Sequence, residues 1–228
     1  MNLRPKNLKN KCVHVVVIDG WYPELTRYTL PLIKAWTKKI GADFNLISKA
    51  KFGDFPKNYE RLQIYEAGKG YFWNINIDAD YMIHPDMEDP TEGANPHVVM
   101  SEGRMNTDEY FKPNIYFLRD GRNQSIGDSF VVSSMFTHDV WEPLKISYEE
   151  ASKECLKEPR QVSEFCLSLN IARYGLKFDG AISDKSKIHH IASTTGPTKD
   201  QNYNPVEVAK EFVQKWGVEN IIEEFNKK

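Results

Sequence analysis

Residues 71–87 read YFWNINIDADYMIHPDM. An aromatic and β-branched run, apolar enough for a buried strand, ends by placing Asp78 and Asp80 one residue apart. Carboxylates taken out of water are costly unless something pairs with them. At i, i+2 on an extended backbone both side chains point the same way, and their repulsion would keep one of them protonated. A divalent cation removes the conflict by holding both ionised, and hard oxygen ligands suit Mg²⁺ or Mn²⁺. Asp-x-Asp by itself also occurs in solvated turns. Its position at the end of a buried strand is what points to a metal.

The elements around it are those of an alternating α/β chain. Val13–Ile18 (VHVVVI) is a continuous β-branched run, as expected of a strand covered on both faces. Thr26 is the expected cap of a helix over residues 28–39 that buries Leu32, Ile33 and Trp36, and Gly41 stops it. Phe44–Ile47 gives a second strand, 58–67 a second helix, and Tyr71–Ile77 the third strand. The order β-α-β-α-β predicts parallel strands with right-handed crossovers. Beyond it, 97–100, 114–117 and 129–133 read as short strands, with some antiparallel pairing. Helices are expected over 140–157 and 161–174, strands near 176–178 and 187–191, and two helices at the end. In an open sheet of this kind ligands sit beyond the carboxyl ends of the parallel strands, and Asp78 and Asp80 lie at such an end.

Composition narrows the class. The 228 residues are 40% hydrophobic and carry no internal repeat or low-complexity segment, which predicts one folded domain spanning 1–228. Cys12, Cys155 and Cys166 are an odd number without CxxC spacing and read as reduced structural thiols. No apolar run reaches the roughly 18 residues of a membrane span, and the basic start MNLRPKNLKNK lacks the apolar stretch of a signal peptide, so a cytoplasmic protein is expected. A net charge of −2 and the absence of an RNA-binding signature speak against nucleic acid. Residues 1–70 hold 13 Lys and Arg against 6 Asp and Glu, whereas 71–128 hold 4 against 11. Such a split suits a site where cations face an anionic ligand and carboxylates face a metal.

The strand with its Asp-x-Asp, together with the preceding NYERLQIYEAGKG, resembles the GT-A glycosyltransferases, nearest to the retaining glycogenin and lipopolysaccharide galactosyltransferase type. The likeness is carried by residues 13–90. It implies a Rossmann-like GT-A fold with a mixed, mostly parallel central sheet. It also implies a nucleotide-sugar donor, most simply a UDP-sugar, and hexose transfer to a glycan, lipid or protein acceptor. Carried over residue by residue, Asp78 and Asp80 are metal ligands and Arg61 is the basic group facing the donor phosphates. Asp19 and Tyr22 (or Trp21), in VVIDGWYPEL, stand where the family holds its nucleotide. The segment KIHHIASTTGPTK resembles the family's His-x-x-Gly-x-x-Lys, giving His190 as third ligand and Lys199 as a diphosphate contact. It departs from that pattern, with five residues rather than two between His190 and Gly196. His189 points to the opposite face of any strand, so only one of the two histidines ligates. An imidazole among carboxylates moves the preference towards Mn²⁺.

Two further carboxylates follow from the resemblance. Asp128, in SIGDSFVVS, matches the acceptor side of the sugar, and Glu164, in VSEFCLSLN, matches an acidic or amide position of the retaining family. In a retaining enzyme Glu164 would stabilise the oxocarbenium-like carbon. In an inverting one, Asp128 or Glu164 would deprotonate the acceptor hydroxyl. Two other classes compete: a non-catalytic domain of the same fold that binds a nucleotide-sugar or glycan, and a sugar nucleotidyltransferase. The second needs a glycine-rich loop after the first strand, where this chain has only Gly20.

Overall fold

The strand formed by the VHVVVI run occupies an interior place in a six-stranded sheet, with β-branched side chains covered on both sides. This is seen in a computed structural model, which describes residues 7–180, 182, 186–191 and 203–227. The sheet order is β2 (Asp43–Ile47), β1 (Lys9–Val16), β3 (Tyr71–Asp78), β8 (Phe130–Ser134), β5 (Val98–Ser101) and β9 (Lys177–Asp179). β1 is parallel to β2 and β3, and β5 to β9, while β8 runs antiparallel to both neighbours. The expected α/β class and mixed, mostly parallel sheet are what is observed. Two small antiparallel ladders complete it, β4 (Tyr81–Ile83) with β10 (Ile188–His190) and β6 (Arg104–Asn106) with β7 (Gln124–Ile126). The helices are α1 (Pro23–Lys39), α2 (Ile64–Ala67), α3 (Thr107–Tyr110), α4 (Ile115–Asp120), α5 (Tyr148–Ser152), α6 (Val162–Tyr174), α7 (Pro205–Trp216) and α8 (Glu219–Asn226).

Several elements depart from the sequence-based expectation, each for a local reason. Helix α1 begins at Pro23 rather than residue 28, because Pro at the first helical position is pre-set for the turn and loses no hydrogen bond. Thr26 lies inside that helix, its hydroxyl turned back to the Tyr22 carbonyl. The helix expected over 58–67 is a 3₁₀ stretch, Lys57–Gln63, followed by the single turn of α2. There the Glu60 carboxylate accepts from the backbone of Lys51 and Phe52 and from Gln63 Nε2, which ties the turn to the preceding loop. Residues 114–117 form the start of α4, not a strand, because the Asn114 side chain caps the amides of Tyr116 and Phe117. The long helix expected over 140–157 is broken by Pro143, with extended backbone at Glu142, and restarts only at a Ser147/Glu150 capping box.

The two faces of β3 have opposite characters. Trp73, Ile75 and Ile77 pack with Val13, Val15, Trp36 and Phe130 in one hydrophobic core. The alternate residues Asn74, Asn76 and Asp78 point to the other face, where Asn74 and Asn76 are fully buried. Buried amides need partners. His14 Nε2–H donates to Asn74 Oδ1 at 2.9 Å, and Asn45 Nδ2 donates to His14 Nδ1 at 2.9 Å. Asn74 Nδ2 donates in turn to the Gly68 carbonyl, which sets the orientation of that amide and with it the neutral imidazole.

Burial pushes the His14 imidazole down to about 4, against a smaller upward effect of Asn74 and a further lowering by His138. Between that value and the ordinary one the unfolded chain binds a proton that the folded chain excludes. Stability is therefore full above about pH 6.5 and falls as the pH drops towards 4, by about 3 kcal/mol from this group. Urea unfolding at a series of pH values is expected to show that loss, and His14→Gln to flatten it. Equal slopes in the two proteins would exclude His14 as the cause.

Candidate metal centre

The strand β3 ends at Asp78, which stands beside Val16 at the end of β1 and whose amide donates to the Ser129 carbonyl. The chain then turns rather than continuing extended. Ala79 enters the core and its carbonyl accepts from the Thr29 hydroxyl at 2.5 Å; the Asp80 carbonyl accepts from the Ile191 amide at 2.9 Å. The second of these bonds docks β10 beside the turn. The two carboxylates converge through this turn, and not through the pleat of a strand.

Asp78, Asp80 and His190 each present a ligand atom, all within 4.8 Å of one another. His190 Nε2 lies 3.2 Å from Asp80 Oδ1, yet that buried oxygen has no partner in hydrogen-bond geometry. Neighbouring ligands of a six-coordinate ion with bonds of about 2.1 Å stand about 3 Å apart. The pair has the separation of two ligands aimed at a shared centre, and the two-carboxylate, one-imidazole set fits Mn²⁺ or Mg²⁺. His189 turns away, its ring stacked on Phe212 with centroids 4.3 Å apart.

Behind the three groups lies an ionic cluster. Arg61, 3% exposed, reaches Asp78 Oδ1 with Nη2 at 3.1 Å and Asp128 Oδ2 with Nη1 at 3.0 Å. Its Nε donates to the Asn58 carbonyl, and Nη1 also donates to the Asp128 carbonyl. The other Asp128 partners are Asn76, bound to its carbonyl, and the Ser163 hydroxyl, bound to its carboxylate. Glu164 has a buried Oε2 without a partner. Burial raises the Asp78 carboxyl to about 7, opposed by Arg61 and reinforced by Asp128 and Asp80. Burial likewise holds Glu164 well above the ordinary carboxylate range, with Asp128 adding to it and Arg61 opposing. Burial alone would push His190 down, but Asp80, Asp78 and Glu102 outweigh it and raise it. Four carboxyl groups thus crowd one guanidinium and one imidazole, an arrangement short of positive charge.

The remaining sequence candidates fall in different places. Arg61 does not present its guanidinium to a ligand's phosphates as expected; it is buried and committed to Asp78 and Asp128. Asp19 is exposed and paired with Lys57 at 2.8 Å. Asp19 and Tyr22 both adopt positive φ (52° and 45°) in the turn after β1, a sparsely populated conformation for non-glycine residues. Tyr22 meets Trp21 edge to face, centroids 5.9 Å apart. Lys199 lies outside the described residues. Asn76 and Ser163 escaped the sequence reading, although the first repeats the period-two spacing of Asp78 and the second adjoins Glu164. Two surface grooves, of 310 and 400 Å³, lie elsewhere and are lined by none of these residues.

No protein-family model matches the chain, and no curated protein matches it by sequence. Among solved structures it is similar to galactosyltransferase LgtC in complex with donor and acceptor sugar analogs, at 10% identity and a TM-score of 0.47, over 90% of this chain and 95% of that one. It is similar to a mutant Drosophila β1,4-galactosyltransferase 7 in complex with manganese, UDP-Gal and xylobiose, at 14% identity and a TM-score of 0.44, over 89% and 80%. It is also similar to 4-diphosphocytidyl-2C-methyl-D-erythritol synthase from Anaerococcus prevotii, at 10% identity and a TM-score of 0.41, over 90% and 99%. With all three TM-scores below 0.5, the likeness says nothing of this chain's chemistry. No helix among the described residues is long and apolar enough to cross a membrane.

Proposed function

We propose that the protein is a metal-dependent glycosyltransferase that moves a hexose from a nucleoside-diphosphate sugar, in the first instance a UDP-sugar, to a glycan, lipid or protein acceptor. The observation that carries this reading is the convergence of Asp78, Asp80 and His190 at the carboxyl end of β3. The end of β3 adjoins that of β1, and β1 lies between β2 and β3, so the chain reverses its direction of travel across the sheet here. Such a reversal opens a crevice for a nucleotide.

Asp78, Asp80 and His190 would hold Mn²⁺ or Mg²⁺, which when bound would supply positive charge towards a departing diphosphate. Arg61 serves this arrangement indirectly, by holding Asp78 and Asp128 in place. Asp19 and Tyr22, on the strained turn beyond β1, are the residues proposed to meet the nucleotide. Asp128 is assigned to a sugar hydroxyl and Glu164 to the reacting carbon, its carboxyl raised above the ordinary carboxylate range by burial. Retention at the anomeric carbon is proposed from the resemblance to the retaining glycogenin type.

A thermal-shift screen with UDP-, GDP-, ADP- and CMP-sugars, with and without Mn²⁺, is expected to show a Mn²⁺-dependent response to a UDP-sugar. The anomeric coupling of the first product, followed by NMR, is expected to match that of the donor. An inverted product would return Asp128 or Glu164 to the role of base. Mn²⁺-dependent UDP binding without transfer or donor hydrolysis would favour a non-catalytic binding domain instead.

A further inference from the structure

Tyr81 directly follows the two aspartates, and nothing in the sequence marked it for a role. It opens β4, is 1% exposed, and stands opposite His190 in the β4–β10 ladder. The two rings are parallel, with centroids 4.4 Å apart and planes 8° from each other. The Tyr81 ring is itself held on several sides. Its hydroxyl donates to Glu102 Oε2 and lies 3.2 Å from Ser129 Oγ, and the Phe130 ring packs nearly perpendicular to it with centroids 5.9 Å apart. His190, by contrast, keeps 38% of its side chain exposed. A half-exposed imidazole on a three-residue strand has several staggered rotamers open to it, and a ring packed over one face removes most of them. The ligating lone pairs of imidazole lie in the ring plane. A face contact therefore restrains the plane and occupies neither nitrogen, leaving Nε2 aimed at the Asp80 side.

We propose that Tyr81 is the positioning residue for the metal ligand His190, with Glu102 and Ser129 fixing the phenol ring that does the positioning. This rests on the reading of Asp78, Asp80 and His190 as a metal site. Metal-ligating histidines are ordinarily oriented by a hydrogen bond to the far nitrogen, and losing such support lowers metal affinity about 10- to 100-fold. Here a stacked aromatic ring takes that part. The order of strength follows from the geometry. The ring matters most, and the hydroxyl matters through the ring's tilt.

Two measurements on the full-length protein test this. In metal-free wild type, NMR is expected to show cross-relaxation between the Tyr81 and His190 rings, with His190 ring protons upfield of free histidine at the same pH. Titration calorimetry with Mn²⁺ is expected to give Tyr81→Phe, which frees the ring from Glu102 and Ser129, a Kd raised less than about 10-fold, whereas Tyr81→Leu raises it about 10- to 100-fold, towards the value for His190→Ala. Wild-type affinity in a folded Tyr81→Leu protein would overturn the assignment. If that variant does not fold, free-histidine shifts and absent ring cross-relaxation in wild type would overturn it equally well. Failure of wild type to take up Mn²⁺ at all removes the metal site itself and the positioning role with it. Uptake with no difference between wild type and Tyr81→Leu removes only the role of Tyr81.

Discussion

Replacing Arg61 by methionine is expected to destabilise the protein by about 3–5 kcal/mol, the cost of leaving buried charges without their partner. The guanidinium is 3% exposed and is shared between Asp78 and Asp128, so its loss strands two carboxylates at once. For a chain of this size each kcal/mol moves the melting temperature by about 2–4 °C. A drop of about 10 °C should therefore be seen by calorimetry or circular dichroism. Arg61→Lys keeps the charge but is expected to recover only part of the loss, since an ammonium cannot span both carboxylates in a planar fork. Adding Asp128→Asn to Arg61→Met should restore some stability, because one uncompensated charge is removed with it. A change below about 1 kcal/mol for Arg61→Met would mean that water or rearrangement already compensates these carboxylates, at odds with their burial.

Asp80→Asn is expected to leave the fold intact and abolish the response to metal. The exchange is isosteric, Asp80 is 5% exposed, and its Oδ1 has no partner in hydrogen-bond geometry, so the one protein contact weakened at that atom is the 3.2 Å approach of His190 Nε2. Removing one of several crowded negative charges should hold stability level or raise it when no metal is present. With Mn²⁺ at a hundred times its Kd, wild type is expected to gain about 2.7 kcal/mol. At about 2–4 °C per kcal/mol that is a shift of about 5–10 °C. The variant should show little or none of it, because a neutral amide oxygen is a far weaker ligand than a carboxylate. An undiminished Mn²⁺ shift in Asp80→Asn would place the ion elsewhere.

Sequence patterning by itself determined the α/β alternation, the buried strand β3 and the two carboxylates at its end. These follow from local chemistry: a β-branched run covered on both faces, an aromatic run closed by Asp78, and glycines such as Gly175 that accept the left-handed turn ending α6. Where a competing local device was overlooked, the reading failed. Asn114 caps a helix where alternation suggested a strand, and Pro143 breaks a run whose apolar spacing suggested a long helix. What only tertiary structure decided is which side chains meet. His190 joins the aspartates because the Asp80 carbonyl binds the Ile191 amide and the β4–β10 ladder sets His190 over Tyr81, contacts that span more than a hundred residues. Arg61 carries the same charge wherever it stands. Whether it faces a ligand or is consumed inside the protein depends on the burial of Asp78 and Asp128 around it, which no local pattern encodes.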